Sequence, residues 1–302
     1  MNIVAIKELM WTYHPLPKSV RVVPFSDKAS IYGADILLQT NIKGGKRAKK
    51  LGNIYQYVID SGKPFICVES AVFRRNMPTP PHPKAYHRWS WTSYFRDEGD
   101  YCNDISSSDR WEQIQKDQNI QIKPWKSPGD SILLLLQRPG DTSLKKLIAK
   151  HGSYESFISH TITEIRKNTD RPIIIRLHPS RKATQLKIIE SLNLKGIKIS
   201  DTPSVSGSLS GGDGLYGDFL KAWAVVGFNS NALTESVCEG IPTFSMCPSS
   251  MAWECSNKSL DLLDQPQVFK RQQWLNNLGY CQWREDECLA GMPLKHLLER
   301  KK

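Results

Sequence analysis

Arg176, His178 and Pro179 fall within "RLHPS", which closes a run of three isoleucines. An imidazole at a strand end can donate to a phosphate or a carboxylate, and a neighbouring guanidinium adds a fixed charge. Alternation along a strand puts Arg176 and His178 on one side. The plainer alternative is a capped strand end whose histidine is satisfied internally. In "QRPGDTS", Pro139-Gly140 makes a turn after an apolar run, and Asp141 or Thr142 suits a helix N-cap. Backbone N–H groups there, helped by Arg138, can receive an anion, although an ordinary strand-to-helix turn has the same residues. In "GFNSNALTESVCEGIPTF", residues 227–244, a second apolar run breaks into Asn229-Ser230-Asn231. Ser230 or Asn231 is expected to cap a helix whose first N–H groups are unpaired, a seat for phosphate. Glu235, one turn on, can accept from a ribose hydroxyl or simply cap its own helix.

The first half of the chain offers different chemistry. Glu69 ends "PFICVE", where a carboxylate is a candidate base or nucleophile. Arg74 and Arg75 follow closely and are equally suited to pairing with it. Asp109-Arg110-Trp111, after a run of three serines, forms a second candidate cluster. In "YHRWSWTSYFR", residues 86–96, Trp89 and Trp91 interleave with His87, Arg88 and Arg96. Such a mixture can stack bases or sugars while contacting phosphates, or can form a small hydrophobic core. With the basic run "KGGKRAKK", residues 43–50, it is the expected nucleic-acid groove.

Charge points the same way. There are 41 Lys and Arg against 30 Asp and Glu, a formal net charge of +11. That favours a polyanionic partner or an anionic small ligand. Seven cysteines are scattered, with no C-x-x-C, which fits reduced core thiols better than a zinc site or a disulfide framework. No G-x-G-x-x-G, G-x-x-x-x-G-K, H-E-x-x-H or G-x-S-x-G occurs, which lowers the case for a dehydrogenase, a P-loop NTPase, a zincin or a serine hydrolase. No apolar run approaches the ~18 residues of a membrane span. The N-terminus reads as mature protein rather than a signal peptide, and the expected location is cytoplasmic.

These residues need elements to hold them. The second half alternates apolar strand-length runs with helical spacing: "SILLLLQ", "PIIIRLHP", "IKIS", "AVVGF" and "IPTFSM" read as strands. That pattern predicts a parallel sheet covered on both faces. In the first half, residues 34–40 and 64–70 read as strands flanking a helix, and residues 74–130 as long loops with short helices. The expected organisation is an α/β domain over 1–128, a Rossmann-like α/β domain over 129–267 and a helical segment over 268–302. Two such halves would bind ligands in a cleft beyond the carboxyl ends of their strands.

Taken in order, Gln137, Asp141 and Ser143, then His178 and Pro179, then Ser230, Ala232, Glu235, Gly240 and Pro242 carry a resemblance. The sequence resembles the capsular-polysaccharide Kdo-transferase group of glycosyltransferases and related phage-encoded, DNA-modifying glycosyltransferases. The resemblance implies a GT-B-like α/β fold, with two Rossmann-like domains facing a central cleft and C-terminal helices packing back on the first. It implies transfer from a nucleotide-sugar, with Gln137, Arg138, Asp141, Ser143, Arg176, Ser230, Asn231 and Glu235 on the donor side. His178, Glu69 and Asp109 are the candidate catalytic residues, and Glu69 would lie on the acceptor side. Arg74, Arg75, Arg88, Trp89, Trp91 and Arg110 are the candidate acceptor-binding residues. No Asp-x-Asp motif is present, so neither a metal nor a further cofactor is expected. The acceptor expected from charge and the Trp/Arg-rich stretch is a hydroxymethylated base in phage DNA, which would place the protein in the host cytoplasm. The alternatives are the same chemistry on a surface polysaccharide or glycolipid, and a non-catalytic nucleic-acid-binding protein.

Overall fold

The computed structural model describes residues 1–10, 14–40, 46–202 and 212–301, with backbone only at 46–50, 212 and 213. Of the basic run 43–50, therefore, 43–45 lie outside the described residues and 46–50 outside the described side chains. The chain forms two compact units, Met1–Asn119 with Leu275–Lys302, and Ile120–Trp274.

The first unit opens with β1 (Ile3–Ile6), β2 (Val20–Val23), α1 (Lys28–Tyr32), β3 (Ile36–Gln39) and α2 (Lys46–Asp60). β4 (Phe65–Ser70), β5 (Tyr86–Trp91) and α3 (Asp109–Gln118) follow. The second unit contains β6 (Ser131–Leu135), α4 (Lys145–His151), α5 (Tyr154–Asn168), β7 (Ile173–Arg176), α6 (Lys182–Ser191) and β8 (Ile197–Ile199). It continues through α7 (Gly212–Lys221), β9 (Ala222–Gly227), α8 (Ala232–Cys238) and β10 (Thr243–Ser245). α9 (Gln272–Gly279) carries the chain back to the first unit, which ends with β11 (Gln282–Arg284), α10 (Glu285–Leu289) and α11 (Met292–Arg300).

The sheet of the first unit has the order β11-β5-β4-β3-β1-β2. β1 to β4 are parallel, whereas β5 runs antiparallel to both β4 and β11. The sequence reading treats residues 86–91 as loop; they are instead a fully buried strand. Trp89 and Trp91 fill the core that also holds Ile66, Val68, Trp283, Leu294 and Leu297. The alternating residues Arg88 and Ser90 are buried as well, each bonded to backbone carbonyls. A polar residue satisfied by the main chain in this way breaks the apolar alternation by which a strand is recognised. The C-terminal segment belongs to this unit: β11 extends its sheet, and α11 adds Leu294 and Leu297 to its core.

The sheet of the second unit is wholly parallel, in the order β10-β9-β6-β7-β8. Its uninterrupted Ile, Leu and Val runs are the composition of strands buried on both faces. One face packs Leu134, Ile175, Val226 and Phe228 with residues of α4 and α5. The strand order reverses between β6 and β9, so the connections leaving these two strands go to opposite sides. Beyond their carboxyl ends this opens the crevice at which doubly wound sheets bind ligands.

Candidate functional site

At that crevice the register is level. Leu135 of β6 pairs with Arg176 of β7 and Gly227 of β9. Gln137, His178 and Asn229 each lie two residues beyond these partners and so share one edge of the sheet. The Gln137 side chain bridges the crevice. Its amide nitrogen donates to Asn229 Oδ1 at 2.6 Å and to Ser143 Oγ at 3.2 Å, while its oxygen accepts from the Asn229 N–H at 3.1 Å. Asn229 donates in turn to the Ser143 carbonyl at 2.9 Å. Asp141 caps the following turn by accepting from the Ser143 N–H at 3.0 Å. Thus Gln137, Asp141 and Ser143, distant from Asn229 in sequence, form one hydrogen-bonded rim.

Gln185 of α6, fully buried, braces the neighbouring strand ends. It donates to the Gln137 carbonyl at 3.0 Å and accepts from the His178 N–H at 2.8 Å. Tyr154 adds a third bond to this rim, donating to the same Gln137 carbonyl at 2.7 Å. The His178 Nδ1 lies within hydrogen-bond distance of both the N–H of Ser180, at 3.1 Å, and its carbonyl, at 3.3 Å, which holds the ring against the turn. Arg138 is exposed beside this rim.

Other donor-side candidates have partners within the unit. Arg176 is buried, and its Nη1 donates at 2.6 Å to Asp218 of α7 and at 2.8 Å to Thr202. Alternation points it across the sheet to α7, where desolvation makes an ion pair its cheapest company. It is a structural cation. The first N–H groups of α8 are also engaged: Ala232 donates to Ser230 Oγ, Leu233 to the Ser230 carbonyl and Thr234 to the Asn231 carbonyl. Ser230 is therefore the capping side chain, and Asn231 occupies the cap position without a side-chain cap bond. Glu235 is buried, with Oε2 accepting from Tyr216 of α7 at 3.0 Å.

Gly240 and Pro242 serve the framework. Gly240 has φ +76°, and a Cβ there would lie 2.0 Å from the Pro124 carbonyl oxygen. Only glycine fits that close approach. Lys123 pairs with Glu239, and Arg271 donates to the carbonyls of Lys123 and Val237, fixing the same corner.

The first-unit candidates are dispersed in role. Glu69 is buried rather than open, accepting from the Ser70 N–H at 2.9 Å and the Ser70 hydroxyl at 2.8 Å. Asp109 is exposed; Ser107 donates to it at 2.6 Å and Tyr280 at 3.0 Å. The hydrogen bond from Ser107, with that from Tyr280, holds its carboxyl below the usual range. Arg110, expected to bind an acceptor, instead forms a bidentate pair with Glu287 at 3.0 and 2.9 Å, donates to the carbonyls of Gln282 and Gly279, and stacks 3.7 Å from Trp283. It ties α3 to the C-terminal segment. Arg88 is likewise turned inward, and Trp89 and Trp91 are core residues, so no stacking surface is formed by them. Arg74 is half-buried and donates to the Ala71 carbonyl at 3.1 Å; Arg75 beside it is half-buried too. Among the described residues no group of three His, Cys, Asp or Glu side chains comes together to hold a metal ion, and no helix is long and apolar enough to cross a membrane.

Asn229, Gln185, Tyr154, Tyr216 and Asp218 complete the second-unit network. Asn229 had a signal, standing first in the polar break after β9. The others are polar residues on helices, with nothing local to mark them.

Two α/β units, each with its own sheet and the second wholly parallel, define a GT-B-like fold. Among solved structures, the chain is similar to the β-Kdo 2,4-transferase of KpsC from Thermosulfurimonas dismutans, with a TM-score of 0.59 at 12% identity over 94% of this chain and 92% of that one. It is also similar to the β-Kdo 2,7-transferase of the same KpsC, with a TM-score of 0.52 at 13% identity over 100% of both chains. At such identities the likeness is one of fold. No family model matches the sequence, and no curated protein sequence does.

Proposed function

We propose that this protein is a glycosyltransferase that moves a sugar from a nucleotide-sugar to a hydroxyl of a saccharide acceptor. The observation that carries this reading is the cross-braced rim of Gln137, Ser143 and Asn229, with His178 level with it, at the point of the second sheet where strand order reverses. A fold shared with two Kdo transferases supports the same reading.

In the reaction the acceptor oxygen forms a bond to the anomeric carbon as the bond to the leaving phosphate oxygen breaks. Negative charge then grows on the phosphate. The imidazole of His178 and the guanidinium of Arg138 are the donors we assign to it, because preorganised donors stabilise charge that develops in the transition state. Glu235 accepts from a ribose hydroxyl. Gln137, Asp141 and Ser143 keep the rim in shape.

A saccharide acceptor is preferred to the DNA base expected from sequence. The side chains that were to stack and grip DNA, Trp89, Trp91, Arg88 and Arg110, are occupied within the fold, and the structural neighbours are Kdo transferases. The direct test is incubation of the protein with labelled nucleotide-sugars and either oligosaccharide or hydroxymethylated DNA. Transfer to saccharide supports the proposal; transfer to DNA alone overturns the acceptor, and absence of both overturns the enzyme.

A further inference from the structure

We infer that Tyr216 is a positioning residue for Glu235, and that α7 is the element through which the donor-side carboxylate is set. This rests on the reading of Glu235 as a ligand of the donor's ribose and deepens it.

Three observations on α7 lead there. First, the Tyr216 hydroxyl donates to Glu235 Oε2 at 3.0 Å across 19 residues of sequence. The last torsion of a glutamate is broad and weakly preferred, so an unheld carboxylate rotates. A donor on one oxygen restricts that rotation. It also offsets the cost of keeping a carboxylate in a site where it is only 7% exposed.

Second, the Tyr216 ring is itself held. It meets Phe219, one turn along, edge to face with centroids 5.8 Å apart, and Phe219 is buried. Third, α7 is pinned at its centre. Asp218 is buried and accepts from Arg176 of β7 at 2.6 Å and from Ser200, just beyond β8, at 2.7 Å. Arg176 is two residues before His178. The ion pair thus ties the strand that carries His178 to the helix that carries Tyr216, and Tyr216 to Glu235. A truncation anywhere along this line is felt at the carboxylate without touching a ligand.

A tyrosine that only packs would behave differently, because phenylalanine preserves the ring. The experiment compares wild type with Y216F, E235Q and the double variant. The probes are the common nucleoside monophosphates and diphosphates, with affinity read by calorimetry and folding by thermal unfolding. The nucleotide that binds wild type most tightly is carried through the set. We expect Y216F to bind it about tenfold more weakly with a Tm lowered only as one lost hydrogen bond to a buried carboxylate requires, E235Q to bind more weakly still, and the double variant to match E235Q. Y216F binding like wild type, or losing its full tenfold again in the E235Q background, overturns the inference while leaving the donor site standing. If wild type binds none of these nucleotides, the donor-site reading falls and the inference with it.

Discussion

Gln137 concentrates the account at the scale of single residues. Its side chain makes three hydrogen bonds and its carbonyl accepts two more, so it is the point at which the ends of β6 and β9 and helix α6 meet. Gln137→Ala leaves Asn229 without these partners. We expect a loss of about 1–3 kcal/mol in urea unfolding, the cost of stranding half-buried polar groups, together with weaker nucleotide binding. His178 is a contrasting case. Its N–H bond to Gln185 is a main-chain bond and survives His178→Ala, so stability should barely move while transfer falls about 10²–10³-fold, the usual effect of deleting one charge-stabilising donor. Steady-state transfer assays set beside Tm values separate the two. His87 gives a prediction in pH. It is buried, and burial depresses its pKa from 6.5 to about 4, with the nearby Glu69 working against that shift. The unfolded chain therefore binds a proton below pH 6.5 that the native protein refuses until about pH 4. Stability should fall by on the order of 3 kcal/mol as pH drops through that window, and His87→Gln should flatten the fall in urea midpoints.

Among the elements, those of the second unit were the most legible. Continuous runs such as "SILLLLQ" and "PIIIRLHP" became β6 and β7, and their break residues marked the carboxyl edge, so the place of Gln137, Ser143 and His178 at that edge was legible. β5 was not, because Arg88 and Ser90 are buried polar residues whose partners are backbone carbonyls of other segments. β11, three residues long, carries too little pattern to be recognised alone. Arg176, Arg110 and Tyr216 show the same limit. The role of such a charged or phenolic side chain is not legible until its partner, 42, 177 or 19 residues away, is known. The motif glycine Gly240 is legible as a turn, but its reason is the Pro124 carbonyl. Gly240→Ala should cost at least ~2 kcal/mol, from left-handed φ and the forced shift together, and circular dichroism melts should show it with donor affinity lost only in proportion to unfolding.

For the molecule as a whole, the net charge of +11 remains the argument for a polyanionic partner. A basic surface alone gives weak, strongly salt-dependent association with any duplex. We expect that behaviour in DNA-binding titrations, with affinity vanishing by physiological salt and no preference for hydroxymethylated sequence; tight binding that discriminates between them would restore the DNA acceptor. The central claim, however, is that the second unit's crevice seats a nucleotide-sugar, and thermal unfolding in a panel of nucleotide-sugars tests it most directly, since a ligand that binds only the native state must raise its stability. The account predicts a saturable rise in Tm with at least one nucleotide-sugar, strongly reduced in Gln137→Ala. No rise with any member of the panel, or a rise that Gln137→Ala leaves intact, would contradict it.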